Sequence, residues 1–331
     1  MAPPKKRKSP PNPPPPSSGK RLRSKAGVVP QAARTFFFIR EMFLMELLGQ
    51  CDLLTIIALS HTVQYALDLV KAFFACNLRI LVAFFVGDDN VDTFYTVLNA
   101  SLSAIAGSVV SSVLSFPYRH DWRPDNLNIV VPKHHLFMWH SFLTSIGLSS
   151  LEKQPGVDRR YAHRTTSHVE YHSKTTECII RLSESLDVSV LTPLIGATTT
   201  FSTNLATSSD FYCLYPYLLR NLRALEAWFP TPVRKAVAMG RRGIRSSFST
   251  ASWPTACGIN CPLHWRYVRG LEGVGIFRWG GFHNEQGDNT DAGIPHTDND
   301  LKWRLGDTCT NKHCRSRRGN YSTLLSNNDS D

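Results

Sequence analysis

Two short stretches, Ile105-Ala106-Gly107-Ser108 and Asn126-Leu127-Asn128-Ile129-Val130-Val131, decide the fold of this chain. The first is typical of a short strand that ends in a Gly-Ser turn and opens a helix. The second predicts a strand whose polar residues, Asn126 and Asn128, stand at i and i+2 and therefore point to one face. Two such side chains beside a helix N-terminus have the layout of a metal and phosphate site. A metal site of this kind needs carboxylates, because Mg²⁺ binds charged oxygens. This strand offers two neutral amides instead.

The positive charge of the chain is concentrated at its beginning. The 331 residues carry a formal net charge of +11. Residues 1–34 hold nine Lys or Arg and no acid, which leaves 28 basic against 26 acidic residues elsewhere. The folded part is therefore expected to be near neutral, and the basic character belongs to a Pro-rich tail that we expect to be disordered. A second disordered tail is expected at 319–331.

Part of the basic tail resembles a nuclear localisation signal that is read by importin, which predicts a nuclear or nucleocytoplasmic protein. A solvated tail without a function is the alternative. Eight cysteines in a chain of this length, with no apolar signal stretch before them, favour a reduced compartment. The residues of the signal are Lys5, Lys6, Arg7, Lys8, Lys20, Arg21 and Arg23.

One uncharged segment, Thr93 to Tyr118, is long enough to span a membrane. Its many serines and the Gly107-Ser108 turn favour a strand and a helix inside a soluble domain instead. We therefore expect no membrane segment here.

The remaining pattern predicts an α+β protein. Residues 36–85 indicate three short helices, the second N-capped by Asp52 and the third running from His61 to Phe74. Residues 88–230 have the mixed texture of an α/β domain, and 234–318 form a Cys-, Trp- and Arg-rich extension. Within the domain we predict three further features, which are a loop over 149–170, a hairpin of Cys178–Leu182 with Leu186–Leu191, and a helix over Leu218–Trp228.

The helical segment resembles an F-box. The resemblance depends on an apolar first helix, then Cys51-Asp52-Leu53-Leu54, Leu59-Ser60 and Leu69-Val70, although Met42-Phe43-Leu44 replace the usual Leu-Pro pair. It implies docking of the Skp1-type adaptor of a ubiquitin ligase. The alternative is a helical cap whose leucines are core residues. The residues implied in docking are Leu47, Leu48, Leu53, Leu54 and Leu59.

The Gly-Ser turn and the following strand resemble the nucleotidyltransferase superfamily. In that family the Gly-Ser amides hold the triphosphate, and carboxylates on two strands hold two metal ions. The resemblance implies that Gly107 and Ser108 bind nucleotide, that Asn126 and Asn128 stand at metal positions, and that Asp187 supplies the third carboxylate. Without the two charges we expect a pseudoenzyme, a degenerate domain in a non-catalytic interaction protein. A weakly active nucleotidyltransferase is the alternative.

A wider resemblance covers most of residues 40–318. Over this range the chain is similar to a group of uncharacterised F-box-like proteins from mushroom-forming fungi. Members of this group commonly carry aspartates at the positions of Asn126 and Asn128. The residues that carry this resemblance are Asp52-Leu53-Leu54, Gly107-Ser108, Trp122-Arg123-Pro124-Asp125-Asn126-Leu127, Phe211-Tyr212-Cys213-Leu214-Tyr215-Pro216 and Arg278-Trp279-Gly280-Gly281.

Two cysteine pairs suggest a structural zinc site. Cys257-x3-Cys261 and Cys309-x3-His313-Cys314 offer soft ligands in two close groups, which is the donor set that zinc prefers. Four buried apolar cysteines are the alternative, since 47 residues separate Cys261 from Cys309.

Nucleic-acid binding is a further alternative for the C-terminal extension. Basic residues at 234–245 and 315–318 lie near several tryptophans, and basic grooves with stacking aromatic rings suit single strands. An acidic run over 285–300 argues against one continuous basic face. The tryptophans are Trp228, Trp253, Trp265 and Trp279.

Overall fold

The computed structural model describes a part of the chain that begins at Met42. Phe43–Asp331 form one unit, and only Met42 of the preceding unit, Met1–Met42, is described. The predicted basic tail with its nuclear localisation signal lies outside the described residues. These residues are 42–115, 124–152, 164–173, 178–197, 199–226, 239–240, 243–267, 274–279, 302–305, 309–314 and 324–326.

Three helices come first in the described part of the chain: α1 (residues 42–50), α2 (Leu53–Ser60) and α3 (Gln64–Val86). The predicted cap of α2 is confirmed, because the Asp52 carboxylate accepts a hydrogen bond from the Thr55 N–H at 2.8 Å. By contrast, α3 has 23 residues and is much longer than expected.

The helical segment is not separate from the domain that follows it. Val70, Phe73 and Leu78 of α3 are fully buried and share one hydrophobic core with Leu127 and Ile129 of the sheet. The neighbouring domain therefore covers these helices, which are too small to bury a core by themselves.

Among the described residues, five more helices and thirteen strands follow, so the α+β class is confirmed. The helices are α4 (Val91–Ala100), α5 (Ser108–Ser115), α6 (Leu136–Ser145), α7 (Leu191–Ile195) and α8 (Pro216–Arg220). The strands are β1 (Ala104–Ala106), β2 (Asn126–Val131), β3 (Ser149–Glu152), β4 (Thr165–His172), β5 (Ile179–Ser185), β6 (Leu205–Ala206), β7 (Asp210–Cys213), β8 (Arg223–Leu225), β9 (Arg245–Ser247), β10 (Arg266–Tyr267), β11 (Gly275–Arg278), β12 (Lys302–Arg304) and β13 (Leu324–Ser326).

Eight of the strands form one mixed sheet in the order β11-β7-β6-β1-β2-β5-β4-β3. Its central strand β2 is antiparallel to β1 and parallel to β5, whereas the other pairs of this sheet are antiparallel. Strands β10, β12 and β13 form a three-stranded sheet, and β8 pairs with β9. The predicted succession of β1, the Gly-Ser turn, α5 and β2 is therefore present.

Three sequence predictions in the second half of the domain are wrong. The loop expected over 149–170 contains β3 and the start of β4, and β4 rather than Leu186–Leu191 is the partner of β5. The expected helix over Leu218–Trp228 stops at Arg220, because the chain reverses at Leu222, which has a φ of +48°. Outside this domain, the tail that was expected to be disordered over 319–331 contributes β13, Leu324–Ser326.

Each face of the large sheet has its own core. The face with Leu127 and Ile129 packs against α3, α4, α5 and α6. The opposite face, with Ala104, Ala106 and Val130, shares a second core with α7 and the C-terminal region. Because side chains alternate along a strand, Asn126 and Asn128 belong to the same face as Val130.

Helix α3 is the one described helix that is long and apolar enough to cross a membrane by length and composition, with a mean hydropathy of 2.0. One of its faces is buried in the core of the sheet, which is the position of a central helix in many domains. The described part of Thr93–Tyr118 folds as α4, β1 and α5.

Candidate functional site

The Gly107-Ser108 turn joins β1 to α5 and touches β2. Gly107 has a φ of +74°, which favours glycine, and its N–H donates to the Asn204 carbonyl at 3.2 Å. A Cβ atom at Gly107 would lie 3.1 Å from the Asn128 Nδ2 atom. Both the backbone conformation and this close approach therefore require glycine.

Asn126 and Asn128 lie where the sequence predicts them. Ala106 pairs with Asn128 across the β1–β2 ladder, so the asparagine stands directly beside the turn. The Asn126 Nδ2 atom donates to the Asn128 Oδ1 atom at 2.7 Å, which confirms that the two side chains share a face. We call Gly107, Ser108, Asn126 and Asn128 the amide site.

The amide site continues across the sheet as a charged row that the sequence analysis missed. Arg181 of β5 stands opposite Asn128, and Glu170 of β4 stands opposite Arg181. The Arg181 Nε atom lies 2.8 Å from the Glu170 carboxylate, which is almost fully buried. The His172 Nε2 atom lies 3.6 Å from the same carboxylate. The alternation of His168, Glu170 and His172 was a strand signal at the end of the expected loop and just beyond it.

Asp187 does not join the amide site. Its carbonyl accepts a hydrogen bond from the Lys133 N–H at 3.0 Å, past the C-terminal end of β2. Lys133 is five residues beyond Asn128, which is about 16 Å along an extended strand. The Asp187 carboxylate instead accepts hydrogen bonds from the Ser189 N–H at 2.8 Å and the Thr192 hydroxyl at 2.9 Å, so it stabilises the turn before α7. The expected third carboxylate is therefore wrong.

A pair of divalent ions does not fit the amide site. Mg²⁺ is held by charged oxygens, and Asn126 and Asn128 supply neutral amides that already satisfy each other. Among the described residues, the one carboxylate in the row of Asn128, Arg181 and Glu170 is ion-paired with the arginine. A fixed cation one strand away further disfavours a metal ion.

The C-terminal cysteines do converge. The Sγ atoms of the four cysteines lie within 4.8 Å of one another. The closest pairs are Cys257 with Cys309 at 3.5 Å and Cys261 with Cys314 at 3.7 Å. We call these four residues the cysteine cluster. His313, which lies between Cys309 and Cys314 in the sequence, is not part of it.

Buried polar groups surround the cysteine cluster. The Asn311 Nδ2 atom donates to the Cys257 Sγ atom at 3.2 Å and to the Thr255 carbonyl at 2.6 Å. The Thr250 hydroxyl lies 3.4 Å from the Cys309 Sγ atom. In the absence of a bound cation, burial raises the pKa of the Cys257 thiol to about 12 and also raises that of Cys261.

The five leucines implied in adaptor docking differ in exposure. Leu48 is buried, and Leu53 is partly buried against the main core. Leu47, Leu54 and Leu59 are 46%, 37% and 36% exposed. Three of the five side chains are therefore available to a partner.

The tryptophans do not support a stacking surface for nucleic acid. Trp253 and Trp279 are buried at 5% and 2% exposure, so neither can stack on a base. Trp265 is half-buried and lies under the Arg304 guanidinium, 4.7 Å from the ring centre. Trp228 lies outside the described residues.

Comparison of the chain with protein-family models, curated proteins and solved structures finds no match.

Proposed function

We propose that this chain is a non-catalytic interaction protein whose mixed-sheet domain is nucleotidyltransferase-like but has lost its metal chemistry. The observation that carries the proposal is the hydrogen bond from Asn126 to Asn128, at 2.7 Å beside the Gly107 turn. The succession of strand, Gly-Ser turn, helix and antiparallel strand supports the proposed likeness. The side chains at the two metal positions bind each other instead.

The charge of the neighbouring strand supports the same proposal. A third carboxylate would have to come from β5, the parallel neighbour of β2, and Arg181 stands there opposite Asn128. Two-metal phosphoryl transfer depends on metal ions that neutralise the developing charge of the phosphate. One arginine, itself paired with Glu170, cannot replace them.

The interaction that we propose is docking of a Skp1-type adaptor on the exposed leucines of α1 and α2. Leu47 and Leu54 remain exposed although their neighbours Leu48 and Leu53 contribute to the core. Exposed apolar side chains on consecutive helices are typical of an interaction surface. The protein would then act as an F-box-type adapter of a ubiquitin ligase.

A pull-down with the full chain tests the adapter proposal. The wild type should retain the adaptor, and Leu47→Glu combined with Leu54→Glu should abolish retention. Leu186→Glu is the matched control, since Leu186 is 42% exposed and lies outside these helices, and it should bind as the wild type does. No retention by the wild type, or equal loss in the control, would exclude this docking surface.

An assay of nucleotide transfer tests the non-catalytic part. With Mg²⁺ or Mn²⁺ and each of the four nucleoside triphosphates, the full chain should show no turnover. Metal-dependent transfer that persists in Asp187→Ala and disappears in Asn128→Ala would overturn the proposal, because it would place activity at the amide site.

A further inference from the structure

We infer that Cys257, Cys261, Cys309 and Cys314 bind one structural zinc ion. Zinc–sulfur bonds of about 2.3 Å in a tetrahedron place neighbouring sulfur atoms about 3.8 Å apart. The two closest pairs of the cysteine cluster are at 3.5 Å and 3.7 Å, and no two of the ligand atoms are more than 4.8 Å apart. Four protein ligands leave no open position for substrate, so the site is structural.

The same distances argue against other uses of the four sulfur atoms. A disulfide would need sulfur atoms about 2.0 Å apart, whereas the two closest pairs are separated by 3.5 Å and 3.7 Å. An iron–sulfur cluster places additional iron and sulfide ions between its cysteines and holds them further apart. One tetrahedrally bound ion fits the space, and a set of four thiolates favours zinc.

Strand pairing brings the two ligand segments together. β10 and β12 run antiparallel, with Arg266 opposite Trp303. The pairing extends towards the cysteines, because the Leu305 N–H donates to the Pro262 carbonyl at 3.0 Å. Cys261 precedes this ladder and Cys309 follows it, so both ligand loops leave its same end. The site is therefore preorganised by the backbone.

Hydrogen bonds to sulfur provide a second argument. Asn311 is fully buried, and its amide donates to the Cys257 sulfur while its Oδ1 atom accepts from the His313 N–H at 2.8 Å. The Thr250 hydroxyl, also fully buried, reaches the Cys309 sulfur. Donors of this kind stabilise metal-bound thiolates and orient them.

A buried cation provides the third and independent argument. Arg266 is 1% exposed, and its guanidinium donates to the Ile259 and His264 carbonyls and stacks 4.5 Å from the Tyr215 ring centre. Among the described residues no carboxylate contacts it. Burying a charge without a counter-charge is costly. Ile259 lies between two ligands of the cysteine cluster, and a zinc ion with four thiolates carries a net charge of −2, which compensates the arginine.

Metal analysis of the full chain, purified under reducing conditions, tests the inference. Mass spectrometry should find one zinc per chain, and a thiol-specific mercurial should release it as the cluster cysteines react. Cys261→Ser and Cys314→Ser should lose the zinc. Cys178→Ser is the matched control, since Cys178 is 5% exposed against 6% for Cys261, and it should keep the metal.

A spectroscopic measurement on the wild type keeps the test independent of how the variants fold. Cobalt exchanged into the site should show the visible bands and the sulfur-to-metal charge-transfer absorption of tetrahedral thiolate coordination. The inference is overturned if the four cluster cysteines react as free thiols and no metal is present, if the protein mass reveals disulfides, or if the site holds iron. Zinc retained by both cluster variants would place the metal elsewhere and would overturn it equally.

Discussion

The amide site and the cysteine cluster lie in one unit, and they differ in backbone geometry and in the donor atoms that they offer. The amide site combines a Gly-Ser turn with a strand, and Gly107 approaches Asn128 closely, but its side chains are neutral. The sequence around the cysteine cluster has no such familiar turn, yet the four sulfur atoms converge to metal-binding distances. A metal centre therefore depends on the donor atoms that reach one point, and a familiar backbone is not sufficient evidence for it.

The second core links the two regions. Ala106 and Val130, on the sheet face that also carries Asn128, pack in the same cluster as Cys257 and Cys309. If zinc stabilises the C-terminal region, it also stabilises the layer that covers this face of the sheet. In that case the proposed zinc site in the C-terminal region would also support the sheet face that carries the amide site.

The largest effect should come from the buried amide beside the cysteine cluster. Asn311→Ala removes the donor to the Cys257 sulfur and should weaken zinc binding about 10–100-fold. Competition with a chromophoric chelator measures this. The control is Asn204→Ala, because Asn204 is also a buried, hydrogen-bonded asparagine but lies beside Gly107, and it should leave zinc affinity unchanged. Equal weakening in both variants would contradict a direct role of Asn311.

A smaller effect should follow from a methyl group at the Gly-Ser turn. Gly107→Ala and Gly147→Ala both place alanine at positive φ, which costs about 1–2 kcal/mol in unfolding free energy. Only Gly107 has a neighbour within 3.1 Å, whereas nothing lies within 4 Å of the corresponding atom at Gly147. We expect Gly107→Ala to lower the free energy of unfolding in urea by about 1 kcal/mol more than Gly147→Ala does. Adding Asn128→Ala should remove this excess, and equal losses at the two glycines would show that the contact is unimportant.

The smallest effect should come from restoring charge at the amide site. Asn126→Asp with Asn128→Asp replaces a hydrogen-bonded pair by two like charges, which should cost about 1 kcal/mol without metal. Mn²⁺ should raise the melting temperature of this variant and leave the wild type unchanged. Asn99→Asp with Asn221→Asp adds the same charge at exposed positions and should not respond. A response of the wild type would mean that the amides already bind metal.

Local patterns predicted the β1–turn–β2 unit, and they failed where the structure depends on contacts distant in sequence. Gly107-Ser108 and the alternation of Asn126 and Asn128 are local signals, and both lie as expected. Leu186 and Val188 alternate as in a strand, but they are 42% and 53% exposed in a turn. Because residues 186–191 were predicted to be a strand, Asp187 was wrongly predicted to lie beside Asn126 and Asn128.

The charged row could not be predicted because it depends on register. Arg181 faces Asn128 only through the parallel pairing of β2 with β5, and Glu170 faces Arg181 only through β4. The spacing of the cysteines suggested two groups of ligands, and the structure brings all four sulfur atoms together. The spacing alone could not show that they meet, since the β10–β12 pairing brings them together across a long gap in the sequence.

The composition of the second core has a consequence for the order of folding during synthesis. Ala106, Val130 and Tyr212 are buried there against Trp303 and Cys309, which leave the ribosome almost 100 residues after Tyr212. Much of the first core can form earlier, because α3 to α6 and the central strands supply many of its residues and its last described member is Trp279. The second face of the sheet therefore stays incompletely covered until Trp303, Leu305 and Cys309 have been synthesised, and a chain that stops before Lys302 would expose part of it.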